Sequence, residues 1–508
     1  MPLSFDTLQQ VHLPADSNQA LGLGQFAVAF MHGKPGSTGG RGEPDAAVLE
    51  RTNLFHVDSV ICGVSALAVK TNAPTVLRNE ALRYRVASGG FGSLAGPGGA
   101  PRLGVPVFGS TVDVMPEKAI LANSSAVREW DSNGTNFGYN PALGHTAGEF
   151  GHNDFYPVAV AAAQLAGRDG EFALRGMILL DEIRGRLAEV FSLKTYKIDH
   201  VLHGAIASAA TYGAMLGATA QQIESAIGMV VAHHVPFRAI RAGKQLSDSK
   251  GASAAISTEA AIVCMQRSMN GFIGPKDIFR NPEAVFCLFG KPAGKGVSPF
   301  DLVLSRAGRD FAVMGMHFKL GLYEHQSAGA LAALLSLLER SPGLLEAADG
   351  ARISKIVIKA YEPAFGIIGD PAKRDPRTRQ SADHSMCFIV ARLLKRCLES
   401  KSADWARNML GPYDYHADAI GDRATRALMA KIEFQHGGPE YDAKYPEGIP
   451  TSMVITDDRG GVHDSGLVMF PPGHARNADA DLKALLNHKF KLLGHLGVAD
   501  PIGLIRRL

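Results

Sequence analysis

The feature that most restricts what this 508-residue chain can fold into is a repetition. Up to about residue 290, Ala- and Gly-rich apolar segments with helical spacing follow one another. AAVLERTNLFHVDSVICGVSALAVK, RGMILLDEIRGRLAEVF, GAIASAATYGAMLG, TAQQIESAIGMVVAHH and SAAISTEAAIVCMQRSM all read this way. Side chains this small let helices approach closely, so the segments predict a compact multi-helix core. DFYPVAVAAAQLAG adds a helix capped by Asn153 or Asp154, with Pro157 in its first turn and Gly167 at its end. Character changes after about residue 295. ISKIVIKAY (353–361) and AKIEFQH (430–436) alternate as strands do, and SMVITDDRGGVHDSGLVMF (452–470) reads as a hairpin around Asp457–Gly461. AGALAALLSLLER and QSADHSMCFIVARLLKRCL are amphipathic helices, which gives this part α+β composition. The tail, DLKALLNHKFKLLGHLG, is helical again and is placed to return to the first part. A chain this long is expected to form two domains.

Composition narrows the function classes. Net charge is +3, from 52 Lys and Arg against 49 Asp and Glu, with no basic run of the kind nucleic-acid binding needs. No apolar run approaches the roughly 20 residues of a membrane span, and the N-terminus carries no leader pattern. Five scattered cysteines (Cys62, Cys264, Cys287, Cys387, Cys397) argue for a reducing compartment and against an iron–sulfur cluster. A cytoplasmic enzyme is the expectation.

Between two apolar segments lies Arg128 to Pro157, REWDSNGTNFGYNPALGHTAGEFGHNDFYP, which packs Asp131, Thr135, His145, Glu149, His152 and Asp154 into a Gly- and Asn-rich stretch. Titratable groups crowded on a loop beside rigid apolar elements are a frequent catalytic arrangement. Ala87 to Pro106, by contrast, is Gly-rich but lacks a GK[ST] ending, so its glycines read as turn chemistry.

Seven stretches in order resemble those of the MmgE/PrpD family: REWDSNGT, EFGHNDFYPVAVAAA, IDHVLHGAIASAATYGAMLG, SDSKGASAA, HFKLGLYEHQSA, SADHSMCFIVA and FPPGHAR. The resemblance runs from about residue 50 to 476. It implies a mostly α fold, with a large all-α domain made by both chain ends (1–295 and 476–508) and a smaller inserted α+β lid (296–475). It also implies a homodimer, no cofactor, and a lyase acting on a citrate-like polycarboxylate. 2-Methylcitrate dehydration comes first among the reactions; cis-aconitate decarboxylation and epimerisation of a related acid are the alternatives. A non-catalytic carboxylate-binding protein is the remote one.

Such chemistry needs a base beside a carboxylate, an acid for the departing hydroxyl, and cations that hold the substrate. His152, at the expected helix start where N–H groups favour anions, is the leading acid–base candidate, partly through the resemblance. Asp131 and Thr135, four apart, share one face if that turn is helical. Lys250, in a Ser/Gly/Ala context, and Lys319, between Phe318 and Leu320, are the candidate cations. Arg238, Arg241 and Lys244 form a further basic cluster suited to substrate or to a dimer contact. The resemblance assigns His200 to the substrate side, and His325 and Tyr361 are possible lid contributions. His384 and His474 are read as structural. His200 and His203 lie one turn apart without a third metal ligand, and H-E-x-x-H is absent, so no metal is expected.

Overall fold

A computed structural model describes residues 9–36, 40–86, 102–136, 151–241 and 245–508. The fold is mostly α with small sheets. The Ala-rich segments form helices Ala46–Ala68, Gly170–Val190, Val201–Met215, Ala220–His233 and Asp248–Met269. Val201–Met215 is buried along its whole length, packed against Gly170–Val190, Ala220–His233 and Asp248–Met269. Small residues make this approach possible. A Cβ on Gly204 would stand 2.0 Å from the Phe155 ring, so any larger residue would push out a fully buried aromatic. Each large apolar side chain buried in this way contributes about 1.5–3 kcal/mol.

The second half carries a four-stranded sheet in the order Ile432–His436, Ile353–Ala360, Thr451–Asp457, Val462–Asp464. The first pair is parallel and the others antiparallel. The expected hairpin closes through Gly460, whose φ of +83° a side chain would resist. Helix Ala328–Arg340 packs on strand Thr451–Asp457. The tail helix Leu482–Gly494 crosses back onto Ala46–Ala68, where the buried Lys489 Nζ lies 2.5 Å from Asp58 Oδ1. All five cysteines are free thiols. Among the described residues, no single helix is long and apolar enough to cross a membrane.

The expected helix over DFYPVAVAAAQLAG is shorter than its pattern. A three-residue 3₁₀ turn (Asn153–Phe155) precedes helix Pro157–Leu165, and neither Asn153 nor Asp154 caps it through a side chain. Asn153 instead spends its amide on other partners: its Nδ2 donates to Phe55 O (2.9 Å), and its Oδ1 accepts from Asn133 (2.8 Å). His145, Glu149, Lys244 and most of Ala87 to Pro106 lie outside the described residues.

Candidate active site

Helix Pro116–Arg128 ends just before Asp131, which adopts φ +49°. That left-handed conformation costs a non-Gly residue on the order of 1 kcal/mol and persists only where the surroundings impose it. Asp131 and Thr135 therefore do not share a helix face, contrary to the expectation from their spacing. Instead, the loop is pinned residue by residue. Ser132 Oγ donates to Gly321 O (2.7 Å), Lys489 Nζ donates to Ser132 O (2.5 Å), and Gly134 N donates to Asp58 Oδ2 (3.0 Å). A Cβ on Gly134 would sit 2.4 Å from the Phe55 ring, so only glycine fits there. Thr135 pairs with His152 on one side and with the His317 backbone on the other (2.9 and 2.6 Å). His152 is thus held by a two-residue strand and at the same time stands at the helix start expected for it, as the N-cap residue of the 3₁₀ turn Asn153–Phe155.

The Asp131 carboxylate gathers the cations. Lys319 Nζ lies 2.5 Å from Oδ1, Lys250 Nζ 3.1 Å from Oδ2, and His384 Nε2 3.2 Å from Oδ2, while Arg128 pairs with Oδ1. Burial alone would raise the Asp131 pKa, but Arg128, Lys250, Lys319 and His384 together pull it well below the usual carboxylate range. Burial brings Lys319 down to about 8 against the opposing pull of Asp131, and it also lowers Lys250. Ligand atoms of Asp131, Asp383 and His384 lie within 4.8 Å of one another, a spacing that can hold a metal ion. The Lys250 ammonium already occupies the place of a cation there, 3.1 Å from Asp131, 3.7 Å from Asp383 and 3.2 Å from His384 Nδ1. With Arg128 and Lys319 adjacent, the donor set suits an ammonium better than a divalent ion.

Beside this node opens a cleft of about 610 Å³, counted out to the solvent. His152 and His200 line it, with ring centroids 5.5 Å apart and planes tilted by 60°. His200 Nδ1 lies 3.4 Å from Asp199 Oδ1, and Asp199 is clamped by Arg241 through both oxygens, Arg241 Nη2 at 3.1 Å from Oδ1. Burial first, then Arg128, Lys319 and His200, hold the His152 pKa well below its ordinary value, with Asp131 opposing. Burial does the same to His200. Both imidazoles are therefore neutral at neutral pH. The second half of the chain brings Glu324, Gln326, Ile367, Lys373 and His384 to the cleft. Burial, reinforced by Asp131, pushes the Glu324 carboxyl up to about 7.

Of the residues singled out from sequence, Asp131, His152, His200, Lys250, Arg238 and Arg241 line this cleft. Thr135, Lys319, His325 and Tyr361 are buried behind it. His325 stacks on His317 with centroids 5.1 Å apart, and Tyr361 stacks on Tyr445 at 4.7 Å. Lys250 and Lys319 were expected to grip substrate, but both ammonium groups are engaged by Asp131. His384, read as structural, instead lines the cleft and touches Asp131, Asp383 and Lys250. Arg128, Asp199, Glu324, Gln326 and Lys373 were not singled out. Arg128 heads the polar stretch and Glu324 precedes His325 in HFKLGLYEHQSA, so a signal existed for both. A lone lysine such as Lys373 carries none.

Residues 42–295 match the MmgE/PrpD N-terminal domain and residues 323–499 the MmgE/PrpD C-terminal domain. The chain belongs to the MmgE/PrpD family. It is 25% identical to a 2-methylcitrate dehydratase of Escherichia coli O157:H7, over 81% of this chain and 82% of that protein. Against the mitochondrial 2-methylcitrate dehydratase of Yarrowia lipolytica it is 25% identical, over 91% of this chain and 83% of that one. An alkylcitrate dehydratase of a fungal species is 24% identical over 61% of this chain and 58% of its own length. With dehydratases of this family as its relatives, the chain is an enzyme of the hydro-lyase kind.

Proposed function

We propose that the enzyme removes water from a citrate-like hydroxy-tricarboxylate, with 2-methylcitrate the first substrate to try. The observation that carries this reading is a pair of buried, neutral imidazoles, His152 and His200, in a cleft lined by Arg128, Arg238, Arg241, Lys250 and Lys373. Such a cleft draws in a polyanion and offers a proton acceptor beside it. In the free enzyme His152 is a weak base, first because it is buried and then because cations crowd it. Substrate carboxylates would cancel that charge and raise its basicity once bound. His152 then takes the proton next to a carboxylate, and the cations stabilise the charge that develops on the substrate. Asp131 acts as a positioning residue, holding Arg128 and Lys250 in register. This reading employs protein groups alone.

The division into a helical unit (1–295 with 476–508) and an α+β lid (296–475) belongs to the same proposal. It is supported by the tail helix packed on Ala46–Ala68 and by the sheet between Ile353 and Asp464. So does a homodimer in the cytoplasm. Adjacent exposed Phe272 (58%) and Ile273 (79%) give apolar surface for a second copy to cover, and free thiols suit a reducing compartment.

The test is incubation with 2-methylcitrate, citrate and cis-aconitate, following alkene absorbance and carbon dioxide together. Alkene without gas supports dehydration. Gas from cis-aconitate would replace this reading with decarboxylation, and neither signal would overturn both.

A further inference from the structure

Two carboxyl groups line the cleft among the described residues, and they are held in opposite ways. Asp131 is locked by Arg128, Lys250 and Lys319 as a carboxylate and has no proton to give. Glu324 is 9% exposed, and no ion pair engages it among the described residues. Its backbone N donates to Asp383 O (2.9 Å), its backbone O accepts from Ser327 N (3.0 Å), and its Oε2 accepts from Gln326 N (2.9 Å). The carboxyl is therefore fixed in place in the cleft that His152 also lines.

We infer that Glu324 is the proton donor of the reaction, the carboxylic acid that protonates the departing hydroxyl group as the carbon–oxygen bond breaks. The inference rests on the dehydration reading and adds the acid it requires. The other carboxyl and imidazole groups nearby fail as donors on position or charge. Asp154 is buried but does not line the cleft, and Glu129 is tied to Arg379 at 2.8 Å. His152, His200 and His384 are neutral at neutral pH, each held down first by burial. Around Glu324, Asp131 opposes ionisation while Lys319 and Lys250 favour it, and the phenol of buried Tyr361 is a further neighbour. Burial outweighs the lysines, so the acid keeps its proton up to about pH 7.

The step balances without any co-reactant. His152 takes the proton from carbon, and the electron pair released forms the carbon–carbon double bond. The carbon–oxygen pair leaves with the hydroxyl oxygen, which takes the Glu324 proton and departs as water. The imidazolium of His152 then returns its proton through solvent to the Glu324 carboxylate.

The decisive variant is Glu324→Gln, which keeps an acceptor for Gln326 N but has no proton to donate. Turnover and pH profile are measured on the hydroxy acid, and fluoride release on the analogue with fluorine replacing the hydroxyl, because fluoride leaves without protonation. Glu324→Gln is expected to lose about 10²–10³-fold in kcat on the hydroxy acid. KM should stay within about threefold, the fall in rate above about pH 7 should vanish, and fluoride release should be largely retained. Glu324→Asp, which keeps an acid, should retain the falling limb and stands in should the Gln variant unfold. Wild-type kcat and pH profile in Glu324→Gln would overturn the inference alone, as would equal loss of fluoride and water elimination. If the wild-type enzyme dehydrates none of the hydroxy acids, the dehydration reading falls and this inference with it.

Discussion

The two sides of the cleft, one from each half of the chain, handle charge in opposite ways. On one wall Arg128, Asp131 and Lys250 cancel one another in a buried node, with Asp131 paired to three cations. On the other, Gln326 is fully buried with neither Oε1 nor Nε2 hydrogen-bonded, and the Lys373 ammonium has no ion pair, among the described residues. An unpartnered buried polar atom costs about 1–3 kcal/mol. The saturated node is scaffolding, whereas polar atoms left open, on Gln326 here and on His152 Nδ1 beside the node, are placed for something that arrives later. The contrast can be attacked from either side.

The largest effect is expected at the saturated node. Asp131→Asn strands Arg128, Lys250 and Lys319 with their counter-charge removed, and breaking a buried pair in this way costs about 3–5 kcal/mol. Urea unfolding measures it, and Asp131→Asn combined with Lys250→Met should recover part of the loss. Stability near wild type in the single variant would show that the node is not a scaffold.

His152→Ala comes next and should act on rate rather than on stability. Its Nδ1 has no hydrogen-bond partner among the described residues, so little is broken by its removal. Turnover should fall about 10²–10⁴-fold while the melting temperature stays near wild type. Retained turnover would remove His152 from the reaction.

Acid should weaken the whole assembly through its buried histidines. Burial lowers His203 to about 3, His384 to about 4 and His474 to about 3, against an ordinary value of 6.5. Between pH 6.5 and about 4 the unfolded chain takes up protons that the folded chain refuses, so stability falls as pH falls. Each excluded histidine contributes about 1.4 kcal/mol per pH unit at full effect. Urea midpoints from pH 7 to 5 follow this, and His203→Asn should flatten the slope by one proton. A stability flat over that range would contradict the neutral state assigned to these rings.

On the open wall, Lys373→Met should leave stability within about 0.5 kcal/mol and raise KM roughly tenfold, the equivalent of about 1.4 kcal/mol of substrate binding. An unchanged KM would show that Lys373 does not meet substrate.

The wall that holds the node was also the more readable from sequence. Asp131, Thr135 and His152 announce themselves because polar residues crowded between apolar helices are set in the interior. Their geometry did not follow from spacing. A four-residue interval suggests one helix face, yet Asp131 turns left-handed, and Asn153 and Asp154, expected to cap a helix, lie in a 3₁₀ turn instead. The open wall reads poorly. Glu324 and Lys373 are single charged residues far along the chain, and only the packing of the two halves brings them to the cleft that His152 lines. The cations misled for a related reason. Apolar neighbours around Lys319 correctly indicated a buried ammonium that needs an anion, but the anion is Asp131.

The smallest effect tests the idea behind the open wall most directly. Tyr361 is fully buried, stacks on Tyr445 with planes 20° apart, and has no hydrogen-bond partner for its hydroxyl among the described residues. Tyr361→Phe keeps the ring and its stacking and removes only that unsatisfied group. The folded enzyme should therefore be unchanged or stabilised by up to about 1 kcal/mol, because the hydroxyl forfeits its water without compensation. The substrate-free melting temperature measures this, and a saturating polycarboxylate supplies the contrast. If the hydroxyl waits for ligand, the variant should gain less stability from the polycarboxylate than wild type does, at equal concentration. A variant destabilised in the absence of ligand would mean that the hydroxyl is already satisfied, and Tyr361 would then belong with the scaffold.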